Sequence, residues 1–153
     1  MKGFNCCLLT FRGCSGEENL TPGGYHLGFT NDLDQLTKFI HKSYPDKNIF
    51  LSGFSLGGNV ILKFLGELET KAIDRNIVGA AVTCVPFDPV ASQYKLDQGF
   101  NRAVYSMNFL RTLITKAERQ HSRFPGAFDI DKVRNCTTIG EFDDAFIVSD
   151  KIV

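Results

Sequence analysis

Apolar residues gather along the chain in two kinds of run. Residues 5–11 (Asn-Cys-Cys-Leu-Leu-Thr-Phe), 49–51 (Ile-Phe-Leu) and 77–85 (Ile-Val-Gly-Ala-Ala-Val-Thr-Cys-Val) are nearly continuous in apolar character, the pattern of strands covered on both faces. Between the first two, Leu33, Leu36, Phe39 and Ile40 recur at helical spacing. Asp32-x-x-Gln35 resembles a capping box at the start of that helix, and Tyr44-Pro45 stops it. Val60, Ile61, Leu62, Phe64 and Leu65 make a second helix that is apolar on most sides. Strand, helix, strand, helix, strand predicts an α/β fold whose parallel sheet, of about three strands, is wound with right-handed crossovers.

The pattern changes after Pro86-Phe87-Asp88-Pro89. Val104, Met107, Leu110, Leu113, Ile114 and Ala117 predict an amphipathic helix with Arg111, Lys116, Glu118, Arg119 and Arg123 toward its polar side. Phe124-Pro125-Gly126 ends it, and Thr138-x-x-Glu141 predicts a last short helix. The expected organisation is a single domain over 1–153: a sheet core over 1–89, a helical cap insertion over 90–126 and a return segment over 127–153.

The chemistry lies where the second strand meets its helix, at Gly53-Phe54-Ser55-Leu56-Gly57. A G-x-S-x-G passing from strand to helix is the pattern of a nucleophile elbow, a sharp reversal that holds its serine in a strained conformation. Strand and helix approach so closely there that side chains two before and two after the serine are expected to collide, which accounts for Gly53 and Gly57. Ser55 is the candidate nucleophile. The backbone amide of Leu56, at the helix N-terminus, is a candidate oxyanion donor.

Composition narrows the picture. Lysine plus arginine equals aspartate plus glutamate, 17 each, so nothing in the charge favours nucleic acid or an anionic membrane. No apolar run approaches the roughly 20 residues that span a bilayer. The five cysteines, Cys6, Cys7, Cys14, Cys84 and Cys136, are odd in number and lack C-x-x-C spacing, which suggests a reducing, cytoplasmic setting without a disulfide framework or zinc site. Cys6, Cys7 and Cys84 lie in strand patterns and are expected to be buried. The glycine-rich loop over 12–24 lacks the lysine and spacing of a P-loop. No metal or organic cofactor is expected. Of the histidines, His26 reads as a loop organiser and His41 as a residue of an exposed helix face. His121 follows Ser55 and Asp88 or Asp97 in the order of a triad, yet a solvated or locally bonded role suits it better.

Taken together, Phe11-Arg12-Gly13-Cys14-Ser15-Gly16-Glu17, Tyr25-His26 with Gly28, Gly53-Phe54-Ser55-Leu56-Gly57-Gly58-Asn59, Pro86-Phe87-Asp88, Gln98-Gly99-Phe100 and Glu141-Phe142-Asp143-Asp144 follow one another in the order of a known family. The chain resembles the YheT-like group of α/β-hydrolases, which includes a bacterial esterase and abhydrolase-domain lipases. The resemblance implies a serine hydrolase of carboxylic esters acting through an acyl-Ser55 intermediate, with an ester or lipid as substrate. It also implies that the second oxyanion donor and the aspartate and histidine of the triad are not in this chain, so that the isolated polypeptide is a truncated, catalytically incomplete form. In the family a further strand lies between those matching residues 5–11 and 49–53, which predicts an open slot and an unstable isolated chain. The alternative is a non-catalytic lipid- or protein-binding module built on the same fold.

Overall fold

The computed structural model describes residues 3–147. These fall into two units, one formed by His26–Phe87 and the other by the described residues on either side of it.

In the His26–Phe87 unit, helix α1 (Asn31–Ser43) leads to strand β1 (Ile49–Phe54), helix α2 (Leu56–Leu68), a single turn α3 (Lys71–Asp74) and strand β2 (Ile77–Thr83). The strands pair in parallel from Ile49 opposite Ile77 to Phe54 opposite Thr83, with one irregularity between Ile49 and Phe50. The expected α/β class with a parallel sheet is what forms, in keeping with part of an α/β-hydrolase fold. Helix α2 packs on both strands and against α1, and it buries Val60, Ile61, Phe64 and Leu68. Leu33, Ile49 and Ile77 are also buried.

Helix α1 begins earlier than its sequence suggests. Thr30 is the N-cap, but its hydroxyl donates to Glu67 Oε2 of α2 at 2.6 Å instead of capping its own helix. The Asp32/Gln35 capping box therefore does not form; a tertiary partner takes the Thr30 side chain. The core face is rotated too: Leu33 and Thr37 are buried, whereas Phe39 is 65% exposed. Asp34 joins two elements by accepting from Lys38 within α1 and from Arg75 Nη1 at 2.6 Å. Those two hydrogen bonds hold its carboxyl below the usual carboxylate range.

Residues 5–11 do not form the expected first strand. They take no regular secondary structure and are mostly exposed, Leu8 at 88%, and the sheet among the described residues has two strands. A strand is held by the ladder of a neighbour, and among the described residues this segment has none. Cys6, Cys7 and Cys84 are accordingly exposed. Strand β2, expected to be covered on both faces, buries only Ile77. An apolar run records a preference for cover; whether cover is present depends on what packs there.

The flanking unit is helical, with α4 (Pro89–Leu96), the short turn α5 (Gly99–Asn101), a π-helical turn (Arg102–Ser106), α6 (Met107–Arg123), α7 (Ile130–Arg134) and α8 (Ile139–Phe146). Its starts are encoded locally. Asp88, Asp129 and Thr138 each accept a backbone N–H at the head of α4, α7 and α8. The expected helix over Val104–Ala117 exists, but its first turn is wound as π-helix, which takes Val104 out of register and leaves it exposed. Gly126, at φ 81°, turns the chain after α6. The core joins Leu110, Ala117, Phe128, Val133, Phe142 and Phe146, with the Phe128 and Phe146 rings edge to face at 4.8 Å. The glycine-rich loop lies along α6. Gln120 donates to the carbonyls of Thr21 and Pro22, and Arg123 to Glu18 and to the Asn19 carbonyl.

Candidate functional site

Ser55 occupies the one-residue joint between β1 and α2. Its backbone, at φ 50° and ψ −120°, lies in a region that non-glycine residues rarely adopt and that costs roughly 1–3 kcal/mol unless the surroundings enforce it. They do so here. The Ser55 N–H donates to the Thr83 carbonyl at 2.9 Å, extending the pairing of β1 with β2, while the Ser55 carbonyl accepts from Asn59 N at 3.1 Å to open α2. One residue thus ends a strand and starts a helix, and its side chain is exposed. Leu56 is the first residue of α2, so its amide is one of the N–H groups a helix leaves unpaired.

The glycines around the serine divide their work differently from the expectation. A Cβ on Gly53 would stand 2.8 Å from the Gly57 carbonyl carbon and oxygen and from the Gly58 nitrogen, all backbone. Gly53 therefore allows the strand to touch the helix. A Cβ on Gly57 would meet nothing within 4 Å, so the expected collision there is absent. The second close approach belongs to Gly58, where a Cβ would lie 2.7 Å from Val85 Cγ2 and 3.2 Å from Val82 Cβ. A helix advances about 100° per residue, so the glycine facing the sheet is one position beyond the motif. Gly58 was visible in the sequence as part of a double glycine, but its contact needed the position of β2.

Asn59 was also without an assigned role. Its side chain donates to the Leu27 carbonyl at 2.9 Å and ties the His26-Leu27-Gly28 segment to the first turn of α2. A polar residue in the apolar start of a helix was the available signal. His26 organises that segment as expected: its Nδ1 accepts from Gly28 N at 3.1 Å, and its ring meets Phe29 edge on at 5.7 Å. Burial, with the Lys63 ammonium second, pushes the imidazole below its ordinary value and favours the neutral form that this acceptor role requires.

The other candidates sit as follows. His41 is half-buried, with Nδ1 lacking a hydrogen-bond partner among the described residues, so the expected exposed position does not hold. Within the unit that carries Ser55, neither His26 nor His41 hydrogen-bonds the serine hydroxyl. In the other unit, His121 packs edge on against Phe128 at 5.6 Å, and Asp88 is the N-cap of α4, accepting from Ala91 N at 2.9 Å. Asp88 is thus locally bonded, whereas His121 Nδ1 is buried without a hydrogen-bond partner among the described residues, so the expected solvated or locally bonded role does not hold for it.

One carboxyl stands out in the flanking unit. Asp143 of α8 accepts from Gln93 Nε2 of α4 at 3.1 Å, and its pKa is pushed up to about 6 by burial and then by the charge of Asp144, with Asp97 adding to it. The folded state holds this proton more tightly than the unfolded chain, so the contribution to stability is present below pH 4 and is lost as pH rises through about 6. Asp143→Asn should therefore stabilise the protein at pH 7 by about 1–2 kcal/mol relative to wild type and lose that advantage by pH 4, as read from urea midpoints at the two pH values. Equal differences at both would contradict the assignment.

Compared with known proteins, the chain is 28% identical over 144 residues, 94% of its length, to Phospholipase ABHD3 of Mus musculus, of which it covers 34%. It is 30% identical over 145 residues to the putative esterase YheT of Escherichia coli, covering 42% of that protein. Against a monoacylglycerol lipase of Saccharomyces cerevisiae the identity is 33% over 92 residues, 60% of this chain and 20% of the relative. The chain spans about a third of the length of the curated relatives it matches. No protein-family model matches it, and no solved structure does.

Proposed function

From its kinship with α/β-hydrolases of the esterase and lipase type, we propose that this chain carries the nucleophile of a serine hydrolase of carboxylic esters, with Ser55 as the attacking residue and a lipid or simple ester as substrate. One observation carries the reading: an exposed serine at φ 50° whose own N–H is bonded to the neighbouring strand and whose carbonyl opens the following helix. Ser55 Oγ attacks the ester carbonyl, the Leu56 amide donates to the developing oxyanion, and the alcohol departs to leave acyl-Ser55, which water then cleaves. Gly53 and Gly58 hold the turn, and Asn59 fixes the adjoining loop.

The attack needs a base within hydrogen-bond reach of the hydroxyl, oriented by a carboxylate. Neither histidine of the Ser55 unit hydrogen-bonds the serine hydroxyl, which supports the reading that the 153-residue polypeptide acting alone is catalytically incomplete. Its free cysteines suit a reducing, cytoplasmic setting. Among the described residues, no helix is long and apolar enough to cross a membrane.

The test is paired. A fluorophosphonate probe should add slowly to Ser55, located by peptide mass spectrometry and absent from Ser55→Ala, while p-nitrophenyl ester turnover by wild type should not exceed that of Ser55→Ala. Absence of the adduct would overturn Ser55 as nucleophile, and absence together with saturable lipid binding would favour a non-catalytic binding module. Clear Ser55-dependent turnover would overturn the incompleteness and return His121 to consideration.

A further inference from the structure

In the flanking unit, the glycine-rich loop carries a nucleophile that the elbow chemistry does not use. The Cys14 N–H donates to the Phe11 carbonyl at 2.9 Å, with Gly13 at φ 67° supplying the left-handed residue of the turn, and the thiol is exposed. Lys116, from the middle of α6, brings Nζ to 3.0 Å from Cys14 Sγ. Tyr25 completes the cluster: its ring stacks on Phe11 at 5.2 Å and lies under the Lys116 ammonium at 5.3 Å. Among the described residues, Cys14 is the cysteine with a lysine at hydrogen-bond distance from its sulfur.

We propose that Cys14 and Lys116 are a peroxide-responsive pair that closes a covalent sulfur–nitrogen bond, a sulfenamide, between the glycine-rich loop and helix α6. The oxidant is a hydroperoxide. In the first step the Cys14 thiolate attacks the peroxide: an S–O bond forms, the O–O bond breaks, sulfur is oxidised by two electrons, and the departing hydroxide takes a proton from the Lys116 ammonium to leave as water. This step turns Lys116 into a neutral amine beside a sulfenic acid. In the second step the amine lone pair attacks sulfur, the S–N bond forms and the S–O bond breaks, and the leaving hydroxide removes the extra proton from nitrogen. One thiolate, one ammonium and one hydrogen peroxide become one sulfenamide and two waters, and a small thiol reverses the bond.

The surroundings favour this pair over the other cysteines. Burial, then the hydrogen bond and charge of Cys14, push the Tyr25 phenol above its ordinary value, which keeps the phenol protonated beside the lysine. The Lys116 ammonium is held above its usual range because burial, which opposes its charge, is outweighed by Cys14 and Tyr25. Cys136 is the internal contrast. It donates to the Lys132 carbonyl at 3.2 Å, and burial with the charges of Glu141 and Asp144 pushes its thiol up, a setting that suppresses the thiolate.

The experiment treats the reduced full chain with hydrogen peroxide, blocks remaining thiols, and maps products by tandem mass spectrometry. The expected product is a Cys14–Lys116 cross-link about 2 Da lighter than the separate residues, restored by dithiothreitol. Cys14 should be consumed roughly threefold or more faster than Cys136, and in Lys116→Met that advantage should fall with the cross-link absent. Lys116→Arg should keep the rate and end in sulfinic acid or a mixed disulfide, since a guanidinium retains the charge but is a poor nucleophile. Folded wild type in which Cys14 passes to sulfinic acid without a cross-link would overturn the proposal. So would a cross-link formed equally in urea, a comparison that decides the matter even if the Lys116 variants do not fold.

Discussion

Gly53→Ala should destabilise the protein by about 3 kcal/mol, lowering its melting temperature by roughly 6–12 °C, whereas Gly57→Ala should be neutral or stabilising by up to about 1 kcal/mol. The contrast follows from what each new methyl group would meet. At position 53 it would lie 2.8 Å from three backbone atoms of Gly57 and Gly58. Backbone has no rotamer with which to yield, so the strand and helix must separate, and the strained Ser55 joint is what spans the separation. At position 57 the methyl would enter open space in the first turn of α2, where alanine is the better helix former. Paired urea titrations followed by far-ultraviolet circular dichroism measure both. Equal costs would mean that the two glycines share the close approach, against the geometry described.

Phe64→Ala should cost about 3–5 kcal/mol, the largest single loss expected in the His26–Phe87 unit. Phe64 is 2% exposed on the face of α2 that also buries Val60, Ile61 and Leu68, and the Arg75 guanidinium stands 5.9 Å from its ring centroid. Removing the ring leaves a cavity between elements already anchored by the Thr30–Glu67 and Asp34–Arg75 bonds, so collapse around the gap is restricted. It also removes the surface against which Arg75 lies. Phe54→Ala is the control: that side chain is 73% exposed, and its removal should change the urea midpoint by less than the equivalent of about 0.5 kcal/mol. A Phe64→Ala protein with an unchanged midpoint would show that α2 is not the centre of that core.

What was legible in the chain was mostly local. The cap at Thr138 forms because an oxygen and an N–H three residues later need no outside help. Tyr44 ends α1 because proline bars the residue before it from helical backbone. The capping box at Asp32 fails for the opposite reason. Thr30 found a carboxylate on another helix, and no local pattern announces a partner 37 residues away. Phe39 misled in the same manner: its spacing is that of a core residue, yet the covered face of α1 runs through Leu33 and Thr37.

Sequence by itself determined the elbow, because a strand running through glycine into a helix with serine at the joint is a short-range arrangement set by backbone geometry. It also carried the similarity to proteins named as an esterase and a phospholipase, since motifs keep their order whatever packs around them. Tertiary structure alone decided that Gly58 rather than Gly57 meets the sheet, that residues 5–11 have no ladder partner among those described, and that Lys116 reaches Cys14 across 102 positions. Each is a contact between segments distant in the chain. Periodicity can state which side of a segment seeks cover, but the position of the neighbour that covers it is set only when the elements pack.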